Sequence, residues 1–153
     1  MNDMMEENNQ LTGAILSERA PEMQDAREVA FEAAAAFYRK KGIDIKMFRV
    51  DDRTVIADYY VICVGRAITH MRALADEAIY RLGLRGVRSL RTEGEDGNEW
   101  VLVDFGDVIL HIFSRDAREY YNLERLLNPE GEVELTEFFE QLQNKLTEEG
   151  AES

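Results

Sequence analysis

The chain has 153 residues, 45% of them hydrophobic, a formal net charge of −13 and a single cysteine, Cys63. That suffices for one well-buried core and excludes wholesale disorder and a disulfide scaffold. No run approaches the ~18 apolar residues of a membrane helix, and MNDMMEENNQ resembles neither a secretory signal nor an Arg-rich transit peptide, so a cytoplasmic location is expected by elimination.

Residues 1–20 lack periodicity and are expected to be disordered. From Pro21 the pattern is helical: Ala26, Val29, Ala30, Ala33, Ala34 and Phe37 recur at three- and four-residue spacing and form one apolar face. Its alanines make that face thin, fit to lie close to a sheet. Arg39, Lys40 and Lys41 suit the negative helix end, and Gly42 the stop. Residues 43–50 alternate, with Ile43, Ile45 and Met47 against Asp44, Lys46 and Phe48, and predict a strand. Asp51-Asp52-Arg53 is a turn. DYYVICVG (58–65) is nearly all apolar, so it predicts a central strand buried on both faces, with Cys63 a small buried thiol.

A second helix is expected over 67–82. Met71, Leu74, Ala75, Ala78 and Leu82 are its stripe, and Arg72–Asp76 and Glu77–Arg81 its outer pairs. After Gly83 and Gly86 come a half-exposed strand at 87–92, a hairpin loop at 94–99, and strands at 100–105 and 108–113 joined through Gly106-Asp107. A short helix at 116–125 should turn Tyr120, Leu123 and Leu127 inward. A helical pattern at 134–147 carries Leu135, Phe138, Phe139, Leu142 and Leu146. The order predicts an α/β (α+β) fold: a mixed sheet of about five strands with helices packed on it. Residues 87–113 should form an antiparallel meander, and the strand–helix–strand unit at 58–92 a parallel pair.

The charge sits at the ends. Residues 1–24 hold five acids against Arg19, a net of −4, and residues 128–153 eight acids against Lys145, a net of −7, leaving −2 on 25–127. This predicts a folded unit over 21–127, with an acidic extension at 128–153. Such ends either solubilise the chain or favour a basic protein partner. Both readings disfavour a direct grip on nucleic acid, which rests on Lys and Arg.

No catalytic constellation is found. The P-loop, GxGxxG, GxSxG and HExxH patterns are missing, and Asp104-Phe105-Gly106 matches the kinase triplet in letters only. His70 opens a helix and His111 lies mid-strand; half-buried, hydrogen-bonded structural histidines are expected. Asp104 and Asp107 could hold Mg²⁺ for nucleotidyl transfer, but only beside a phosphate-cradling element, for which Gly65-Arg66 is the sole candidate. No cofactor is expected. What remains is a surface. Trp100, Leu102 and Asp104 alternate with the apolar Val101, Val103 and Phe105. The first set is either a protein-binding patch with an aromatic anchor or a face packed beneath a helix.

Several stretches together resemble the ribosomal silencing factor family, also called Iojap-like, over about residues 25–127. They are Asp58 to Ile62, Gly65 to Ala75, Glu99 to Val108, His111-Ile112-Phe113 and Tyr121-Asn122-Leu123-Glu124. The family usually has serine or a similar residue where Ala67 stands, and tyrosine or leucine where Phe105 stands. The resemblance implies a nucleotidyltransferase-like topology without the active site, and a non-enzymatic translation repressor. It implies binding to the large ribosomal subunit through its fourteenth ribosomal protein at the intersubunit face. Joining of the small subunit is then sterically blocked when nutrients run short. The contact surface it implies is the segment holding Trp100, Leu102, Asp104, Phe105 and Asp107. Some members form homodimers. A role in large-subunit assembly is the alternative.

Overall fold

The computed structural model describes residues 25–94 and 99–152. The expected disorder of 1–20, the helix start at Pro21 and the hairpin tip at 95–98 lie outside the described residues.

Helix α1 (Ala26–Arg39) starts at Asp25, whose carboxylate accepts the Arg27 N–H at 3.1 Å. Val29, Ala30, Ala33, Ala34, Ala36 and Phe37 are buried. Lys41, and not Gly42, takes the left-handed turn that ends this segment, with φ 62°. Gly42 is needed for space: a Cβ there would sit 3.2 Å from the Phe37 carbonyl and 3.3 Å from Leu74. The thin alanine face is what lets α1 lie on the sheet.

Among the described residues six strands form one sheet, one more than expected, in the order β3-β4-β5-β2-β1-β6. They are β1 (Ile43–Arg49), β2 (Tyr59–Val64), β3 (Arg91–Glu93), β4 (Trp100–Asp104), β5 (Val108–Phe113) and β6 (Glu132–Val133). The apolar β2 is central, as its composition requires. Its parallel partner is β5, not the strand that follows the second helix. β5 has six buried residues and can share a two-sided core. β3 has only Thr92 half-buried between the exposed Arg91 and Glu93 and stays at the edge, antiparallel to β4.

Helix α2 (Ile68–Leu84) buries Met71, Leu74, Ala75, Ala78 and Leu82, the stripe read from spacing. Outside, Glu77 and Arg81 pair at 2.8 Å. With α1 it covers one sheet face over Met47, Tyr59, Val61, Cys63, Val101, Val103, Leu110 and Ile112. The opposite face has its own core of Phe48, Val50, Ala57, Ile62, Ile109, Phe113, Ala117 and Leu127. Phe48 is therefore buried, not solvent-facing, because β1 is covered on both sides.

The helix expected at 116–125 breaks in two. Helix α3 (Arg115–Tyr121) ends at Asn122 with φ 44°, and a 3-10 turn, Leu123–Leu126, follows. Ala117 takes the inward position, so Tyr120 stands 81% exposed and does not face the core.

The acidic segment after 127 is built into the fold. β6 pairs antiparallel with β1, Val133 opposite Met47. Helix α4 (Thr136–Glu152) packs on α1 through Phe31–Phe138 and Tyr38–Phe139 ring contacts at 4.9 and 4.7 Å. The Tyr38 hydroxyl donates to Gln143 at 2.9 Å, and Leu135 and Leu142 are buried.

Candidate functional site

The pleat of β4 divides its side chains. Val101 and Val103 enter the core under α1 and α2, while Trp100, Leu102 and Asp104 point to the opposite face and are half-buried. Register places Trp100 beside Phe113, Leu102 beside His111 and Asp104 beside Ile109. On the outer side Glu93 flanks Leu102 and Arg91 flanks Asp104. Burial falls across this face: Ile62, Ile109 and Phe113 are buried, the β4 residues half-buried, and Arg91 and Glu93 exposed.

Trp100 is held from below. Its indole N–H donates to His111 Nδ1 at 3.1 Å, and its ring lies 4.8 Å from both Phe113 and Tyr121. His111 is only 4% exposed, more buried than expected, because all of β5 is buried. With Nδ1 accepting, the ring proton belongs on Nε2, a buried atom with no hydrogen-bond partner; the Tyr60 ring packs edge-on at 4.5 Å. Burial lowers the His111 pKa to about 3, so the ring is neutral. Burial likewise raises Tyr60, and pushes the Cys63 thiol well above its usual range. His70 is structural as expected: Nδ1 accepts the Arg66 N–H at 2.9 Å and Nε2–H donates to the Lys40 carbonyl at 2.8 Å, tying α2 to the end of α1.

The five residues singled out from sequence do not form one patch. Trp100, Leu102 and Asp104 share a face. Phe105 packs behind them, against the core under α1 and α2. Asp107 is exposed at the end of the strip, and its carbonyl accepts the N–H groups of Asp58 and Tyr59. Asp104 is already engaged: one oxygen accepts the Gly106 N–H at 2.8 Å and the other lies 3.4 Å from Arg91 Nε. Gly106 needs its positive φ of 93° to make that turn. A carboxylate so committed is poorly placed to hold a metal. Among the described residues no group of three or more His, Cys, Asp or Glu could hold one.

Sequence reasoning missed the opposite wall. A groove of about 800 Å³ runs between β4 and α3. Trp100, Leu102, Tyr120 and Tyr121 line it, together with the carboxylates of Glu93, Glu99 and Asp116. Ser114 was the available signal. Its hydroxyl caps α3, accepting the Ala117 N–H at 3.1 Å, and a helix begun there turns Tyr120 outward.

No helix among the described residues is long and apolar enough to cross a membrane. The model of the family described as Ribosomal silencing factor during starvation matches residues 23–153. A Bacillus subtilis protein named Ribosomal silencing factor RsfS is 40% identical over 94 residues, 61% of this chain and 80% of its own. A mouse protein named Mitochondrial assembly of ribosomal large subunit protein 1 is 33% identical over 86 residues, 54% of this chain and 38% of its own. A solved Chromobacterium violaceum structure superposes with a TM-score of 0.66 at 31% identity, covering 68% of this chain and 87% of that one. The match to the family model takes in the C-terminal strand and helix that the fold also incorporates, and the chain belongs to the ribosomal silencing factor family.

Proposed function

We propose that this chain represses translation without catalysis. It would bind the large ribosomal subunit through the fourteenth ribosomal protein at the intersubunit face and block joining of the small subunit in the cytoplasm when nutrients run short. The observation that carries this reading is the half-open aromatic strip on the second sheet face, anchored at Trp100 and bordered by carboxylates, in a chain of net charge −13. Ribosomal proteins are mostly basic. An acidic factor is steered toward one and repelled from bare rRNA, which favours a protein landing site. Blocking needs occupancy alone. Trp100, Leu102 and Asp107 would meet the partner, Asp104 would set the turn that presents Asp107, and Phe105 would support the strand from behind.

Sucrose-gradient sedimentation of purified ribosomal subunits with and without the protein tests this. Co-migration with the large subunit and fewer joined ribosomes are expected; a protein that stays at the top of the gradient refutes it. The name of the mouse relative favours a second reading, in assembly of the large subunit. On that reading cells lacking the protein accumulate immature large subunits even in rich medium.

A further inference from the structure

Building on the reading of this face as the partner surface, we infer that the groove between β4 and α3 receives an arginine side chain of the partner. The guanidinium lies on the Trp100–Tyr121 wall, among the carboxylates of Glu93, Glu99 and Asp116. Trp100 and Tyr121 meet at 4.8 Å and 48°, and Tyr120 stands edge-on to Tyr121 at 5.0 Å. Three linked rings thus present one aromatic surface. Tyr120 is 81% and Tyr121 48% exposed, a concentration of aromatic area that surface residues seldom carry without a partner.

The groove's charge is one-sided. Glu93 comes from the end of β3, Glu99 from just before β4 and Asp116 from the first turn of α3, and none of the described lining residues is basic. Glu93 already meets Arg91 at 3.1 Å and Glu99 accepts the Ser114 hydroxyl at 2.7 Å, so both are held in place with acceptor capacity left. A flat, weakly hydrated guanidinium can stack on the rings and fork to carboxylates at once, which a compact, strongly hydrated ammonium does less well. A phosphate or a second copy of this acidic chain would set anion against anion. At about 800 Å³ the groove has room for the side chain and its flanking backbone.

Trp100 is the only tryptophan, so its fluorescence reports on the groove. The full-length protein is titrated with capped Gly-Arg-Gly, its neutral isostere Gly-citrulline-Gly, Gly-Lys-Gly and AMP. A saturable response to the arginine peptide is expected. The citrulline peptide should bind about tenfold more weakly or worse, and the lysine peptide in between. The charge-neutral triple variant Glu93→Gln/Glu99→Gln/Asp116→Asn should lose the response while keeping its circular dichroism. Equal binding of the citrulline peptide, tighter binding of AMP, or no saturable response in the wild type overturns the inference. An arginine response in a protein that fails to sediment with large subunits upholds the groove and refutes the functional reading. Undiminished co-sedimentation of the triple variant upholds that reading and refutes the groove.

Discussion

Lowering the pH from 7 to 4.5 should destabilise the wild-type protein by about 3 kcal/mol more than a His111→Phe variant. His111 has a folded pKa of about 3 against an ordinary value of 6.5, because its ring is buried and neutral. Above pH 6.5 neither state binds a proton there and the residue contributes nothing to pH dependence. Between 6.5 and about 3 the unfolded chain binds the proton and the folded chain does not. Stability then falls with pH by a little over ~1 kcal/mol per unit, and levels off below the folded pKa. Two units into that window give the stated difference. Phenylalanine keeps a ring between Tyr60 and Phe113 but cannot titrate. Its lower baseline, from loss of the Trp100 hydrogen bond, is the same at every pH. Urea denaturation of both proteins at pH 7, 6, 5 and 4.5 measures the two slopes, and the carboxylates common to both cancel in the difference. Parallel slopes would show that the folded ring takes up a proton at Nδ1, which its burial and the Trp100 N–H already donated to that atom oppose, and would refute the reasoning.

Trp100→Phe should cost ~1–3 kcal/mol in thermal melts by leaving buried His111 Nδ1 without its donor. Trp100→Ala should also weaken large-subunit binding by ~2 kcal/mol or more, and unchanged sedimentation would remove it from the interface. Ala67 begins α2 with no side-chain cap, so Ala67→Ser should stabilise the fold by about 1 kcal/mol, read as a raised melting temperature. Asp107→Lys should weaken large-subunit binding with little effect on stability, whereas Asp104→Asn should lower stability through the Gly106 turn and Arg91; the reverse pattern would exchange their roles. Deleting residues 128–153 should remove about 3 kcal/mol or more, since Leu135 and Leu142 are buried, each worth roughly 1.5–3 kcal/mol, and the half-buried Phe138 and Phe139 add to them. A fragment 1–127 that melts like the full chain would mean that β6 and α4 contribute nothing to the fold.

Local periodicity determined what depends on one element at a time. The alanine face of α1, the five-residue stripe of α2, the central place of β2 and the two-sided alternation of β4 follow from side-chain direction along a helix or strand, which neighbours in sequence settle alone. The motifs from Asp58 to Glu124 likewise carried the family. Spacing says which residues share a face, but not what lies over it. That Phe48 and His111 are buried, that Asp104 is engaged by Gly106 and Arg91, and that Phe105 stands behind Trp100 became visible only once distant segments were in place. The pairing of β2 with β5, and of β6 with β1, is of the same kind. Strand pairing is chosen by which apolar edges can share a core, over separations of about 50 and 85 residues along the chain. The acidic end beyond 127 looked like a solvated tail because its charge is obvious and its partner, the Phe31–Tyr38 side of α1, lies a hundred residues away. Only the tertiary structure brings the two together.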